Sequence, residues 1–284
     1  MATAAAVAVP VPVPVPISVF LVGVASLENI ILILPCFGST GLLIFLDAIL
    51  RAWSITPTGQ LSVFRANKQR GMSDTVVRRA MAHGKPVRDY KKGAVVKGGG
   101  KMGLIKGYKY VLEAEPGLGF DPRFKPALTP GEILFMGAFE GKYLNDCTDE
   151  FPQEWYLNAA AANRLSPSGP DLTCNYFGVG SRQSLQVWQE NGWAPRRGSK
   201  ARGTKVRDIL ADAVANPDER GWFQWYCRYW LGRRIPDLDS VQIGRWRSFA
   251  RHAGAIKARC AKGDLTCNVR ERQALLQWAY NPFI

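Results

Sequence analysis

Histidine is almost missing from this chain, with only His83 and His252 among 284 residues. So little imidazole leaves catalytic triads and His-based general-base chemistry poorly supplied. Cysteine is sparse too. Six residues, at 36, 147, 174, 227, 260 and 267, are too few to staple a chain of this length into a secreted disulfide scaffold. Free thiols in a reducing intracellular compartment are the default expectation. The exception is Cys260 and Cys267, which flank the loop AKGDLT and are near enough in sequence to form a disulfide. A zinc site drawn from Cys227, His252, Cys260 and Cys267 fails on spacing. On one continuous helix His252 and Cys260 stand about 12 Å apart along the axis, whereas zinc bonds are about 2.0–2.3 Å. No metal and no cofactor is expected. Regular apolar–polar alternation is also lacking, which argues against a large sheet.

Lysine and arginine are absent from residues 1–50, where only Glu28 and Asp47 carry charge. Residues 1–16, MATAAAVAVPVPVPVP, are low-complexity. Proline at alternate positions blocks helix and sheet interior alike, so this piece reads as extended or disordered. Residues 17–50 are the most apolar part of the chain. A bilayer crossing takes about 20 apolar residues, but Glu28, Pro35 and Asp47 interrupt every candidate run. The basic n-region of a secretory signal and the Arg- and Ser-rich composition of a transit peptide are both lacking. Membrane attachment through 17–50 is one reading. A working chain that starts at the polar Met72-Ser73-Asp74 is another.

Positive charge is what the rest of the sequence has in excess. Lys and Arg number 37 against 23 Asp and Glu, for a net charge of +14. Residues 51–110 hold 14 of those cations and only two acids. The balance favours an acidic partner, nucleic acid or another polyanion. Residues 51–119 read as a flexible basic arm, since few large apolar side chains are present to offset the entropy of ordering. Lys91 and Lys92 are its candidate phosphate contacts. The run KGGGKMG inside it lacks the G-x-x-x-x-G-K-[ST] spacing of a phosphate-cradling loop.

Order is expected over 120–284, as a mainly α, compact helical domain with irregular loops. Thr129-Pro130-Gly131-Glu132 is a capping box with proline at the first helical position. Further helices are predicted over 155–165, 184–191, 219–232, 241–260 and 269–280. The stretch GWFQWYCRYWLGRR, Gly221–Arg234, carries six aromatic rings. On a helix capped by Asp218, Trp222, Phe223, Trp225, Tyr226, Tyr229 and Trp230 fill one arc of roughly 160°, while Arg220, Gln224 and Arg228 face the other way. An arc so wide is a core surface, because exposing it would leave an apolar patch that a soluble monomer does not tolerate. In the next helix Trp246, Phe249, Ala253, Ile256 and Cys260 form the buried stripe. Arg272 falls inside the apolar arc of the last helix, so it is expected at the rim or paired with a carboxylate such as Asp264.

Arg233, Arg234, Arg245, Arg247, Arg251 and Arg259 are the predicted phosphate-contacting surface of this bundle. The leading functional reading is non-enzymatic, weakly sequence-selective nucleic-acid or polyanion binding. One alternative is a Mg²⁺-dependent nuclease, in which Asp121 and Glu140 hold the metal and Lys142 polarises the phosphate. The other is a membrane-tethered scaffold anchored by 17–50.

From Leu128 onward the chain resembles a family of proteins of unassigned activity. The likeness is carried by Gly141-Lys142-Tyr143 with Cys147 and Phe151-Pro152, then by GWFQWYCRYWLGRR, GDLTC and RQALLQWAY. It covers roughly the last 155 residues. The resemblance implies that this part folds independently and that residues 1–127 are appended. No catalytic residue carries over from it.

Overall fold

The helix Trp222–Leu231 is the axis around which the rest is packed, as the crowding of rings in that stretch predicts. The computed structural model describes residues 74–99, 107–196 and 206–284. In chain order the helices are α1 (Asp74–His83), α2 (Pro130–Met136), α3 (Gln153–Ala161), α4 (Leu185–Glu190), α5 (Val206–Ala211), α6 (Trp222–Leu231), α7 (Pro236–Arg259) and α8 (Val269–Gln277). Two short strands, β1 (Val95–Lys97) and β2 (Lys109–Val111), pair antiparallel, with Val96 opposite Tyr110. The fold is mainly helical. Among the described residues no helix is long and apolar enough to cross a membrane; the segments 1–16 and 17–50 lie outside those residues.

Trp222, Phe223, Trp225, Tyr226 and Tyr229 are all buried. The ring of Phe124, from the loop before α2, stands edge-on to Trp225, Tyr226, Tyr229 and Trp246 at centroid distances of 4.8–5.7 Å. Such edge-to-face pairs add to plain area burial. Thr129 caps α2 as expected: its hydroxyl accepts from the Glu132 N–H, and the Glu132 carboxylate accepts from the Thr129 N–H at 2.7 Å. Helix α6 ends at Gly232, whose φ is +114°. A Cβ there would meet the Ala114 carbonyl oxygen at 2.0 Å. Only glycine lets the chain after β2 dock on this turn and donate its Glu113 and Ala114 N–H groups to the Gly232 carbonyl.

Three sequence expectations are corrected. The first is the flexible arm. Residues 74–99 and 107–119 belong to the fold, with Val76, Val77, Ala80, Tyr90, Val96, Tyr110 and Leu112 in the core. The ordered unit therefore begins well before residue 120, and these residues are not an appendage. Few apolar residues suffice here because the segment also docks by polar groups. Tyr110 Oη (3.2 Å) and the Gly99 N–H (2.7 Å) donate to the Glu150 carboxylate, and Tyr90 Oη donates to the Glu150 carbonyl.

The second concerns the far side of α6. Gln224 and Arg228 are buried and Arg220 is half-buried, so no cationic face looks outward there. Asp218 is not the helix cap; Gly221 occupies that place. Arg228 makes a two-pronged contact with Glu150 (Nε–Oε1 2.6 Å, Nη2–Oε2 3.1 Å) and a third bond to Asp218 at 3.0 Å. Arg233 clasps the same Asp218 at 2.7 and 2.6 Å. Burial works against the Arg228 charge, but the Glu150 and Asp218 carboxylates hold its pKa well above the ordinary value.

The third is Arg272. It is fully buried, and among the described residues no Asp or Glu side chain forms a salt bridge with it. Main-chain oxygens of Cys267, Pro282, Ile284 and Asp264 accept from its guanidinium at 2.6–3.0 Å. Cys260 and Cys267 form a disulfide, while Cys147, Cys174 and Cys227 are free and buried.

Without Glu150 the buried Arg228 and Arg233 would share the single carboxylate of Asp218, and an uncompensated buried charge costs about 3–5 kcal/mol. Glu150→Ala should therefore lower stability by that amount, read from the urea midpoint at unchanged slope. A loss below about 1 kcal/mol would show that the network is not needed for stability.

Candidate functional site

The N-terminal turn of α6, one face of α7 and one face of α8 converge on a cleft of about 1600 Å³. Its fourth wall is α4 with the turn that follows it. Four tryptophans line it: Trp188, Trp193, Trp222 and Trp278. The spacing of α7 explains what that helix offers. Arg245, Phe249 and His252 stand at i, i+4 and i+7, so one helical face presents a cation and two rings.

The rings stack in sequence from the core outward. Trp222 lies 4.6 Å from Trp278, Trp278 4.5 Å from Phe249, and Phe249 4.2 Å from His252. Interplanar angles along this run are 24°, 7° and 30°. Trp222 is fully enclosed, whereas His252 is half-buried and lines the cleft. Burial, and then the neighbouring Arg251 charge, press the His252 pKa down, with Glu271 opposing them. The ring is therefore neutral near pH 7.

Arg245 is the second notable group. Its guanidinium lies over the indoles of Trp188 (5.1 Å) and Trp278 (5.7 Å). Its hydrogen bonds go to neutral oxygens, Gln242 Oε1 at 2.9 Å and the Trp193 carbonyl at 3.4 Å. No carboxylate pairs with it among the described residues. Desolvation alone lowers its pKa to about 10, so the group stays charged at neutral pH.

The surrounding charge is predominantly positive. Seven cationic side chains line the cleft against two carboxylates, Asp146 and Glu271. Arg220 is neutralised by Asp146 at 2.6 Å, and Arg182 pairs with Glu140. Arg251, Arg270 and Lys142 are exposed and form no salt bridge among the described residues. Phe139 and Glu140, beside this wall, both have positive φ (55° and 52°), held by hydrogen bonds from Asp171 N–H to the Glu140 carbonyl and from Glu140 N–H to Asn175. Strain of this kind persists only where neighbours fix it.

Of the eight basic residues predicted to meet phosphate, Arg245 and Arg251 line this cleft. Arg247 and Arg259 are exposed on α7 but point away from it, and Lys91 and Lys92 are exposed on the turn before β1. Arg233 is buried against Asp218, out of reach of a ligand. Arg234 lies 4.1 Å over the Tyr229 ring and donates to the carbonyls of Leu118, Gly119, Tyr229 and Arg233. Those two arginines hold the fold together.

Of the three nuclease candidates only Lys142 lines the cleft. Asp121 is tied to Arg123 at 2.7–2.9 Å, Glu140 is buried against Arg182, and Lys142 stands exposed on the cleft wall. Among the described residues no group of three or more His, Cys, Asp or Glu side chains is placed to hold a metal ion. The stacking rings Trp188, Trp193 and Trp278 were not singled out from the sequence. The signal lay in the i, i+4, i+7 spacing of Arg245, Phe249 and His252, with Phe249 read only as core. Compared with models of protein families, with curated proteins and with solved structures, the chain finds no match.

Trp278 touches rings on both the core and the cleft side, so Trp278→Ala should cost about 3–5 kcal/mol. His252→Ala, at the end of the same run, should cost about 1 kcal/mol or less. Paired denaturant titrations check the contrast; equal losses would mean that His252 is a core residue and not a wall of the cleft.

Proposed function

We propose that this protein binds nucleic acid as a non-enzymatic, weakly sequence-selective polyanion receptor, and that the cleft between α4, α6, α7 and α8 is where it does so. The observation that carries this reading is Arg245. A desolvated guanidinium with only neutral partners is costly to keep, and an arriving phosphate would supply the missing counter-charge. The open cations beside it, Arg251, Arg270 and Lys142, extend the same preference along the wall. Arg247, Arg259, Lys91 and Lys92 serve as outlying contacts for a polymer longer than the cleft.

Engaging four phosphates would give a salt dependence, d log K/d log[salt], on the order of −3. Titration of a labelled oligonucleotide with the full chain at several salt concentrations measures it. The variant Arg245→Ala/Arg251→Ala should bind more weakly and reduce the slope by about 2, one for each lost contact. Retention of nucleic acid that is indifferent to salt, an unchanged slope in the variant, or no binding at low salt would reject the reading.

A further inference from the structure

Polyanion binding by itself asks only for cations, and this cleft is built equally of rings. Trp188, Trp193, Phe249, His252 and Trp278 are all half-buried and all line it. Within the stacked run Trp278 and Phe249 each have a ring on both sides, whereas the last ring, half-buried His252 at the cleft, stacks on Phe249 alone among the described residues. Duplex nucleic acid would leave that end of the run without a further ring, because its bases are already stacked on one another and only its phosphates reach a recessed wall. A sulfated sugar polymer has no planar ring to offer. An unpaired strand supplies both missing parts, since every base has a π-face and every linkage has a charge. The cleft is also larger than the roughly 300–1,000 Å³ of a pocket for one small molecule, which leaves room for several nucleotides.

Resting on the polyanion reading above, we infer that the occupant is single-stranded nucleic acid, with an unpaired base continuing the ring series Trp222–Trp278–Phe249 on His252, and with Arg245, Arg251 and Arg270 on the flanking phosphates. His252 suits that place because it is neutral near pH 7 and therefore stacks as a ring without adding charge. The contact needs a flat ring at this position and no proton transfer. Phenylalanine should replace it.

The experiment compares a short oligothymidylate, a duplex of equal length and heparin as ligands of the full chain at one fixed salt concentration. The variants are His252→Ala and His252→Phe, each checked for folding by circular dichroism. The single strand is expected to bind about 10-fold or more tighter than the duplex. The alanine variant should lose about 5- to 150-fold in single-strand affinity, the range for one stacked base, with duplex and heparin affinity unchanged. The phenylalanine variant should restore single-strand binding. Equal affinity for single strand and duplex, or an alanine variant that binds the single strand as the parent does, overturns the stacking inference while leaving polyanion binding standing. A loss in the alanine variant that phenylalanine does not restore also overturns it. Failure of all three ligands to bind at low salt overturns both readings together.

Discussion

Two carboxylates and two guanidiniums, closed off from water, determine how this chain is put together. Glu150 and Asp218 come from loops, Arg228 from helix α6 and Arg233 from the turn just after it, so the cluster ties the central helix to chain on either side of it. Its charges cancel. Each ion alone would be very costly to bury, and the four are tolerable only because every carboxylate oxygen accepts two hydrogen bonds or a short, charge-assisted one. Glu150 also receives Tyr110 and the Gly99 N–H, which draws the β1–β2 ribbon into the same assembly. The aromatic core supplies bulk stabilisation without direction, whereas the ion cluster specifies which loop meets which helix.

That cluster also decides which arginines remain for anything else. A sequence shows how many cations a chain has but not how many are already spent. Arg228 and Arg233 neutralise acids inside, Arg234 cements a turn through carbonyls, Arg272 binds four main-chain oxygens, and Arg220 is paired at the cleft wall. The formal excess of positive charge is thereby concentrated on fewer side chains, among them Arg245, Arg251, Arg270 and Lys142. What distinguishes Arg245 from Arg251, Arg270 and Lys142 is that it is desolvated while its hydrogen bonds go only to neutral oxygens, a property of the packing and not of the residue type.

The helical character of the fold, the inward set of the Trp222–Tyr229 rings and the Thr129 capping box were legible because each is local. Periodicity and cap spacing act over one or two turns, and those distances are printed in the sequence. The docking of residues 74–99 and 107–119 was not legible. Its apolar content is low, and its attachment relies on hydrogen bonds to Glu150, a partner 40 to 60 residues away for Tyr110 and Tyr90. The same holds for the cleft. Arg245, Phe249 and His252 share a face by local spacing, but Trp188 and Trp278 reach them only by tertiary folding, and no pattern along the chain connects the three segments. Sequence proximity of Glu140 and Lys142 likewise says nothing about Asp121, whose carboxylate the fold holds in a salt bridge with Arg123.

The run of stacked rings has one more consequence. Four indoles border the cleft, and one of them, Trp222, is sealed in the interior while remaining in π contact with its neighbours toward the opening. Whatever settles on the outermost ring changes the electronic surroundings of chromophores that are already coupled face to face. The protein thus contains its own optical gauge, and filling of the cavity is expected to register in the native ultraviolet emission without any attached dye.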